Sequence, residues 1–243
     1  MAHTYQVALA FTRASRWFKY ITRTMWCVVL IVCLLAVASG QVRIQSRSKE
    51  DGRRPPTEQD RLQAANVTIP YEYPMLKQCV DDWGDDIMVT KTICQVGCLM
   101  SSTSMGLAGT DIKIPTDCDE GSGELLVSNP GTFNKWLQDN SGYDDDNDFI
   151  EPVAQQINPD RVIWPSDAMH KTNDLSYKTV VSYLEAGRVV IGNVMEGGHF
   201  VLLTGYSDDG DTFSVNDPGF STLTYSYAND IVGYRIFDMK REQ

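Results

Sequence analysis

The stretch GCLMSSTSMGLAG, residues 97–109, decides the fold of this chain. Its residue pattern and its closing glycine predict a helix over residues 97–108. Small residues recur about one turn apart on one face of that helix, so this face can lie very close to a sheet. These small residues are Ser101, Ser104 and Ala108. Cys94 and Cys98 lie just before and at the first turn, and their surroundings decide whether either acts as a nucleophile.

The pattern downstream of this helix changes from helical to strand-like. The stretch NPGTFNKWLQDNSGY, residues 129–143, predicts a second short helix, and LSYKTVVSYLEAG, residues 175–187, predicts a third that stops at its glycine. Four β-rich runs follow, separated by turn-forming residues: RVVIGNV, HFVLLTGY, TFSVND and YRIFDM. Because helices come first and strands come later, we predict an α+β domain in which N-terminal helices pack on a C-terminal antiparallel sheet.

The N-terminal region carries a targeting pattern. Residues 1–40 contain four basic residues and no acidic residue, and a 14-residue apolar run, MWCVVLIVCLLAVA, occupies residues 25–38 after them. Small residues after the run suit a signal-peptide cleavage site. Crossing a bilayer core takes about 20 residues, so the run is short for a membrane span, and an uncleaved signal-anchor is the alternative. Both interpretations predict that the rest of the chain lies on the non-cytoplasmic side.

These patterns divide the chain into four segments. Residues 1–24 form a basic N-terminal region, residues 25–40 form a signal peptide or signal-anchor, and residues 41–68 form a polar linker that contains Pro-Pro. Residues 69–243 form the folded domain. The sequon NVT at Asn66 predicts an N-glycosylation site if the chain enters the secretory pathway.

The charge of the chain excludes one class of partner. Outside residues 1–40, the chain carries 17 Lys and Arg against 32 Asp and Glu, a formal net charge of −15. Such a surface repels phosphate backbones, so we expect no nucleic-acid partner. The composition fits a secreted, lumenal or lysosome-like domain. We expect contact with a membrane only through residues 25–40, if these stay uncleaved.

Four of the six cysteines lie in the domain, at positions 79, 94, 98 and 118. One interpretation is two structural disulfides, which suit an oxidising compartment. A metal site needs closely spaced soft ligands, and no CxxC or HxxxH pair accompanies these cysteines, so we expect no metal and no cofactor. If Cys98 is a reactive thiol, Cys94 pairs with Cys79 or Cys118 and one further thiol stays free.

The acidic run DDDND, residues 144–148, resembles the start of a calcium-binding loop. However, the sixth position of that loop is Phe149 rather than glycine, and the twelfth is Gln155 rather than glutamate. We therefore interpret the run as a solvated acidic loop.

Three residues have the chemistry and the local setting of a thiol hydrolase. Cys98 lies at the first turn of a helix, where free backbone N–H groups and the helix dipole favour a thiolate. His199 opens a predicted strand after two glycines, which leave room for a substrate, whereas His3 and His170 lie outside any such setting. Asp217 ends the following strand, and antiparallel pairing can bring it behind the imidazole ring. We predict that these three residues form a catalytic group.

The motifs around these residues occur in a fixed order: GCLMSSTSM, then GGHFVLLTGY, then VNDPG. Together they resemble the C39-like cysteine peptidases of the papain-like group. The resemblance covers residues 70–240 and includes IPTDC and FNKWLQDNSGY between the cysteine and the histidine. Gln78, 20 residues before Cys98, matches the family's oxyanion-hole glutamine. The chain departs from the family after the cysteine, where Leu99-Met100 replaces the common Gly-Pro.

The resemblance implies a papain-like fold and a specific chemistry. It implies a cysteine peptidase that cleaves an amide bond of a peptide or protein through Cys98, His199 and Asp217, with Gln78 in the oxyanion hole. A catalytically inactive peptide-binding module with the same fold and two disulfides is the alternative. Transfer of the acyl group to an amine rather than to water is a third possibility. Reactivity of Cys98 toward a thiol-directed electrophile separates the first two.

Overall fold

The helices of the domain begin and end at local sequence signals. A computed structural model describes residues 67–116 and 124–242, and within these residues it contains four α-helices. Asn129 caps the third by accepting the backbone N–H of Thr132, and Ser176 caps the fourth by accepting that of Thr179. The three predicted helices are present, and the first helix is an additional one. The four are α1 (Ile93–Val96), α2 (Cys98–Gly109), α3 (Pro130–Asp139) and α4 (Tyr177–Glu185).

Several predictions concern parts of the chain that lie outside the described residues. These are the basic N-terminal region, the apolar run, most of the linker, the sequon at Asn66 and the pairing of Cys118. In the described residues no helix is both long enough and apolar enough to cross a membrane.

An antiparallel sheet of eight strands forms the centre of the domain. Its strands occur in the order β4-β10-β6-β7-β8-β9, while β1 pairs with β7 and β5 pairs with β10; β2 and β3 form a separate two-stranded sheet. The strands are β1 (Val67–Thr68), β2 (Ile114–Pro115), β3 (Leu125–Leu126), β4 (Val162–Ile163), β5 (Met169–His170), β6 (Val189–Val194), β7 (His199–Ser207), β8 (Thr212–Asn216), β9 (Thr224–Ser226) and β10 (Gly233–Met239). Because β1 pairs with Tyr206 and Ser207, the sheet begins two residues before the predicted start of the domain.

The side chains of the central strands point alternately into two hydrophobic clusters, one on each face of the sheet. In β6, Val189 and Ile191 pack in the cluster that contains residues of α2 and α3, whereas Val190 and Val194 pack in the cluster that contains residues of α4. The side chains of a strand alternate between its two faces, so the helices cover both faces of the sheet. The predicted α+β class, with N-terminal helices on a C-terminal antiparallel sheet, is confirmed.

Helix α2 lies against the sheet at short range, as its small residues predict. The Oγ atom of Ser102 donates to the carbonyl oxygen of Phe200 in β7 at 3.3 Å. A Cβ atom at Gly106 would lie only 2.7 Å from a methyl carbon of Val189 in β6. These close contacts involve Ser102 and Gly106, which lie one turn apart on the helix. This packing holds α2 against the central strands β6 and β7.

Replacing Gly106 by valine should lower the free energy of unfolding by about 1–3 kcal/mol. The new side chain would overlap Val189 and approach the sulfur of Met239, so α2 would have to move away from the sheet. Urea unfolding monitored by circular dichroism measures the change. Replacing Ser182, which is exposed on α4, by alanine is the control and should change stability by less than about 0.5 kcal/mol. An unchanged midpoint for the valine variant would contradict the close packing.

Candidate active site

A cleft of about 810 Å³ opens where the first turn of α2 meets the start of β7. One side is formed by residues around Gln78, α1 and Cys98, and another by His199 and the turn after β8. The cleft is lined by both polar and apolar side chains, and three of the four predicted site residues lie on it directly: Gln78, Cys98 and His199.

Cys98 is the first residue of α2 and carries a free thiol. The N-terminal residues of a helix have backbone N–H groups without intrahelical acceptors, and the helix dipole is positive there. Gly97 makes this position possible, because a Cβ atom at residue 97 would lie 2.6 Å from the carbonyl oxygen of Ile93. Gly97 is thus the single residue between α1 and α2. The thiol of Cys98 is partly exposed and lines the cleft.

His199 begins β7 and is 5% exposed. Its Nε2 atom lies 2.7 Å from Oδ1 of Asp217, and the thiol of Cys98 lies near enough to the ring to raise its pKa. The ring of Phe220 contacts the imidazole edge-on, with the ring centroids 5.0 Å apart. The imidazole is therefore held between a thiol and a carboxylate and shielded by an aromatic ring.

Asp217 directly follows β8 and is fully buried. Besides His199, its Oδ1 atom accepts the backbone N–H groups of Gly219 at 2.9 Å and Phe220 at 2.8 Å. Its Oδ2 atom accepts the hydroxyl of Tyr225 in β9 at 3.1 Å. The Asp-Pro-Gly turn thus wraps around its own carboxylate and fixes the orientation of that group toward the imidazole.

The surroundings raise the pKa of His199 and lower that of Asp217, so the charged form of each group is favoured. Burial lowers the pKa of His199, but hydrogen bonds to Asp217 and Cys98 and their negative charges overcome this effect and raise it to about 9. Burial raises the pKa of Asp217, but hydrogen bonds from His199, Phe220 and Gly219 and the imidazolium charge outweigh it, and the net shift is downward. At neutral pH the arrangement therefore favours an imidazolium beside an aspartate.

The contribution of His199 to stability should disappear as the pH rises from about 6.5 to about 9. Because the pKa of His199 is higher in the folded state than its unfolded value of 6.5, the stabilisation is fully present below pH 6.5 and is lost as the pH passes through about 9. Asp217 has a lowered pKa, so its stabilisation is present above pH 3.8 and is lost at lower pH.

Urea unfolding of the wild-type chain and of His199→Gln over this pH range measures the effect. The difference in unfolding free energy between the two proteins should shrink as the pH rises. A difference that stays constant up to pH 10 would contradict the raised pKa.

Gln78 is 6% exposed and lies beside α1. Its Nε2 atom donates to the carbonyl oxygen of Cys94 at 2.9 Å and lies 3.4 Å from that of Ile93. Its Oε1 atom is buried and has no hydrogen-bond partner in the described part of the chain. One amide hydrogen is thus well bound, and the other makes only a long contact.

Cys79 and Cys94 form a disulfide on the wall of the cleft. The sequence left two partners open for Cys94, and the structure selects Cys79. In the described residues, Cys98 is the one cysteine with a free thiol. With Cys79 and Cys94 paired, the inactive binding module with two disulfides needs Cys98 to be bonded to Cys118. Of these, Cys98 has no disulfide here, and Cys118 lies outside the described residues.

A buried ion pair that the sequence pattern did not indicate lies in the wall of the cleft. Nε of Arg235 in β10 donates to Oε1 of Glu151 at 2.6 Å, and its guanidinium lies 5.3 Å from the ring centroid of Phe200. The two residues are 84 positions apart in sequence, so no local signal could reveal their contact. Their opposite charges leave this part of the cleft without a strong net charge.

The acidic run DDDND has a structural role in the fold. Oδ1 of Asp144 accepts the backbone N–H groups of Asp146 and Asp148 and so closes a turn. Oδ1 of Asn147 accepts three successive backbone N–H groups of a neighbouring loop, residues 89–91. Within residues 67–116 and 124–242, no group of three or more His, Cys, Asp or Glu side chains could hold a metal ion.

The other described histidine, His170, also has an aspartate partner. Its Nδ1 atom lies 2.8 Å from Oδ1 of Asp174. No free thiol accompanies this second pair in the described residues, because the free thiol there, that of Cys98, lines the cleft with His199. Only one of the two histidine–aspartate pairs thus has a nucleophile beside it.

Comparison with known proteins gives one match. The family model described as "Peptidase_C39 like family" matches residues 71–235, which is more than half of the chain. The matched stretch contains all four predicted site residues, at positions 78, 98, 199 and 217. No curated protein and no solved structure matches the chain significantly.

Proposed function

Because the chain belongs to the Peptidase_C39-like family over residues 71–235, we propose that it is a cysteine peptidase that hydrolyses an amide bond of a peptide or protein. Family membership implies the substrate class, peptides or proteins. The proposal adds the reaction and the roles of Cys98, His199, Asp217 and Gln78.

One observation carries the proposal: the Cys98 thiol and the His199 ring line the same cleft, the thiol lies near enough to raise the pKa of the ring, and Nε2 of the ring is bonded to the Asp217 carboxylate. A thiol needs a base within hydrogen-bonding reach, and that base needs a group that orients it. Both requirements are met at one end of a cleft that is open to solvent.

In the proposed reaction, His199 already holds the proton of Cys98 as an imidazolium, as its raised pKa favours at neutral pH, and Cys98 reacts as the thiolate. The sulfur attacks the carbonyl carbon of the substrate, and the C=O electron pair moves to the oxygen. The C–N bond then breaks, the amine leaves with the proton of the imidazolium, and a thioester remains on Cys98. A water molecule, deprotonated by His199, attacks the thioester, releases the acid and restores the thiol. Asp217 holds the ring in one orientation throughout.

The negative oxygen of the intermediate requires hydrogen-bond donors. The backbone N–H of Cys98 lies at the start of α2, where N–H groups have no intrahelical acceptor. The second Nε2 hydrogen of Gln78 makes only a 3.4 Å contact and is available to a substrate oxygen. Each such donor contributes about 3–4 kcal/mol to the stability of the transition state.

We propose that the domain acts in the secretory pathway or outside the cell, on the non-cytoplasmic side of the membrane. The Cys79–Cys94 disulfide supports an oxidising compartment, and the apolar run at residues 25–38 supports export. Whether residues 25–40 are cleaved decides between a secreted and an anchored form.

Incubation of the full chain with a peptide library tests the proposed activity. We expect new amino termini to appear, and we expect none after Cys98 has been alkylated with iodoacetamide. A protein that binds library peptides but cleaves none, with Cys98 free and unmodified, would instead be a binding module. Products joined to an added amine would identify transfer rather than hydrolysis.

A further inference from the structure

We propose that the Cys79–Cys94 disulfide positions the Gln78 amide in the oxyanion hole, so that turnover depends on the redox state of this disulfide. This inference rests on the proposed peptidase function and adds a positioning element and a sensitivity to reductants. It concerns a pair of residues that takes no part in the bond-making steps.

The segment that carries Gln78 is attached on one side to the turn after β8. Nζ of Lys77 donates to the carbonyl oxygens of Asp217, at 2.6 Å, and Phe220. The backbone N–H of Gln78 donates to the carbonyl oxygen of Pro218 at 2.9 Å. These bonds fix the backbone of residue 78 relative to the carboxylate that orients His199, but they do not touch the side-chain amide.

The amide itself is held from the other side, by Cys94. The disulfide links Cys94 to Cys79, the residue directly after Gln78. The carbonyl oxygen of Cys94 accepts a hydrogen bond from Nε2 of Gln78 at 2.9 Å. Cys94 is therefore joined covalently to Cys79, the neighbour of Gln78, and hydrogen-bonded to the side chain of Gln78.

This carbonyl decides which end of the amide faces α1. Reversal of the amide would bring Oε1 against the Cys94 carbonyl, and two acceptors repel each other. The present orientation leaves Oε1 buried without a partner, which costs free energy, so the Cys94 bond has to outweigh that cost. If Cys94 moves away, the amide loses the contact that holds Nε2 in place.

Helix α1 is too short to hold Cys94 in position alone. It has four residues, whereas isolated helices shorter than about 12 residues are marginal in water. Its capping box, formed by Thr92 and Gln95, fixes its first turn, and the N–H of Cys94 donates to the carbonyl of Gly84. Neither bond reaches the segment that carries Gln78, and the disulfide adds the covalent link between Cys94 and the residue directly after Gln78.

The disulfide is accessible to a reductant. Cys79 is exposed, Cys94 is partly exposed, and both line the cleft. A small dithiol can attack one sulfur, form a mixed disulfide and then close its own ring. The dithiol is oxidised by two electrons, Cys79 and Cys94 each gain a hydrogen, and Cys98 stays a thiol.

A double-mutant cycle on the full chain tests the coupling to Gln78. The first variant carries Cys79→Ser and Cys94→Ser, the second carries Gln78→Ala, and the third carries all three changes. Removing one oxyanion-hole donor lowers kcat about 10²–10³-fold. We expect the serine pair to lower kcat by about tenfold up to that full loss, with little change in KM, and to cause no further loss when Gln78 is already alanine.

The cycle separates positioning from general stability. If the serine pair lowers kcat by the same factor in both backgrounds, or does not lower it at all, the positioning role is wrong. If the wild-type chain with an intact disulfide has no turnover, the proposed peptidase function fails, and this inference fails with it. An active wild-type protein with a fully active serine variant defeats this inference alone.

A redox titration of the wild-type chain covers the case in which the serine variant does not fold. Turnover should fall in step with reduction of the disulfide by dithiothreitol, counted by mass spectrometry of alkylated peptides. Near-ultraviolet circular dichroism should show that the fold persists. Full activity after complete reduction of Cys79 and Cys94 would overturn the inference.

Discussion

Replacing Cys98 by alanine should abolish turnover and leave the fold unchanged. Loss of a catalytic nucleophile lowers kcat by a factor on the order of 10⁴–10⁶. The thiol is partly exposed and takes part in no disulfide, so removing one sulfur atom creates little cavity and breaks no covalent link. Steady-state kinetics on a peptide from the library measures the loss, and thermal unfolding measures the stability.

The serine pair at positions 79 and 94 provides a matched control for this variant. It removes two sulfur atoms from the wall of the same cleft but leaves the Cys98 thiol in place. Its own loss of kcat, about tenfold to at most 10³-fold, should be smaller than that of Cys98→Ala. Turnover by the Cys98→Ala chain at more than about one hundredth of the wild-type rate would contradict the role of Cys98 as nucleophile.

Replacing His199 by alanine should lower kcat/KM by at least about 10³-fold. The variant loses the base that takes the proton of Cys98 and the acid that protonates the leaving amine. It also leaves the fully buried Asp217 carboxylate without its charged partner, so a lower unfolding temperature is expected as well. Kinetics and thermal unfolding on one preparation measure both effects.

The variant His170→Ala is the control for this loss. It also removes an imidazole that is bonded to an aspartate, Asp174, but one that has no bond to the thiol. Activity close to wild type is expected for His170→Ala. Equal losses for both histidine variants would show that the effect of His199→Ala arises from damage to the fold rather than from lost chemistry.

The positions of the three proposed catalytic residues could be predicted from the sequence because local rules determine each of them. Cys98 follows a glycine that starts a helix, His199 starts an apolar strand, and Asp217 precedes Pro-Gly directly after the next strand. Pairing of adjacent strands then brings the last two together, with Leu202 of β7 opposite Asn216 of β8. The resemblance to C39-like peptidases supplied Gln78, which no local pattern identifies.

The elements that the sequence did not reveal depend on distant contacts. Helix α1 has only four residues, and its stability comes from a capping box and a disulfide rather than from a hydrophobic period. The hydroxyl of Tyr225 reaches Asp217 because β9 pairs with β8. The pair of Glu151 and Arg235 joins a 3₁₀ helix, Glu151–Ile157, to the last strand. None of these contacts leaves a periodic or compositional signal.

Mass spectrometry of the quenched reaction tests the central claim most directly, because it detects which atom carries the acyl group. Mixing the full chain with a cleaved peptide and quenching in acid within one turnover should leave the acyl part of that peptide on Cys98 as a thioester. The same experiment with Cys98→Ala should show no adduct. Turnover without an adduct on Cys98, an adduct on another residue, or isolation of Cys98 in a disulfide would contradict the account.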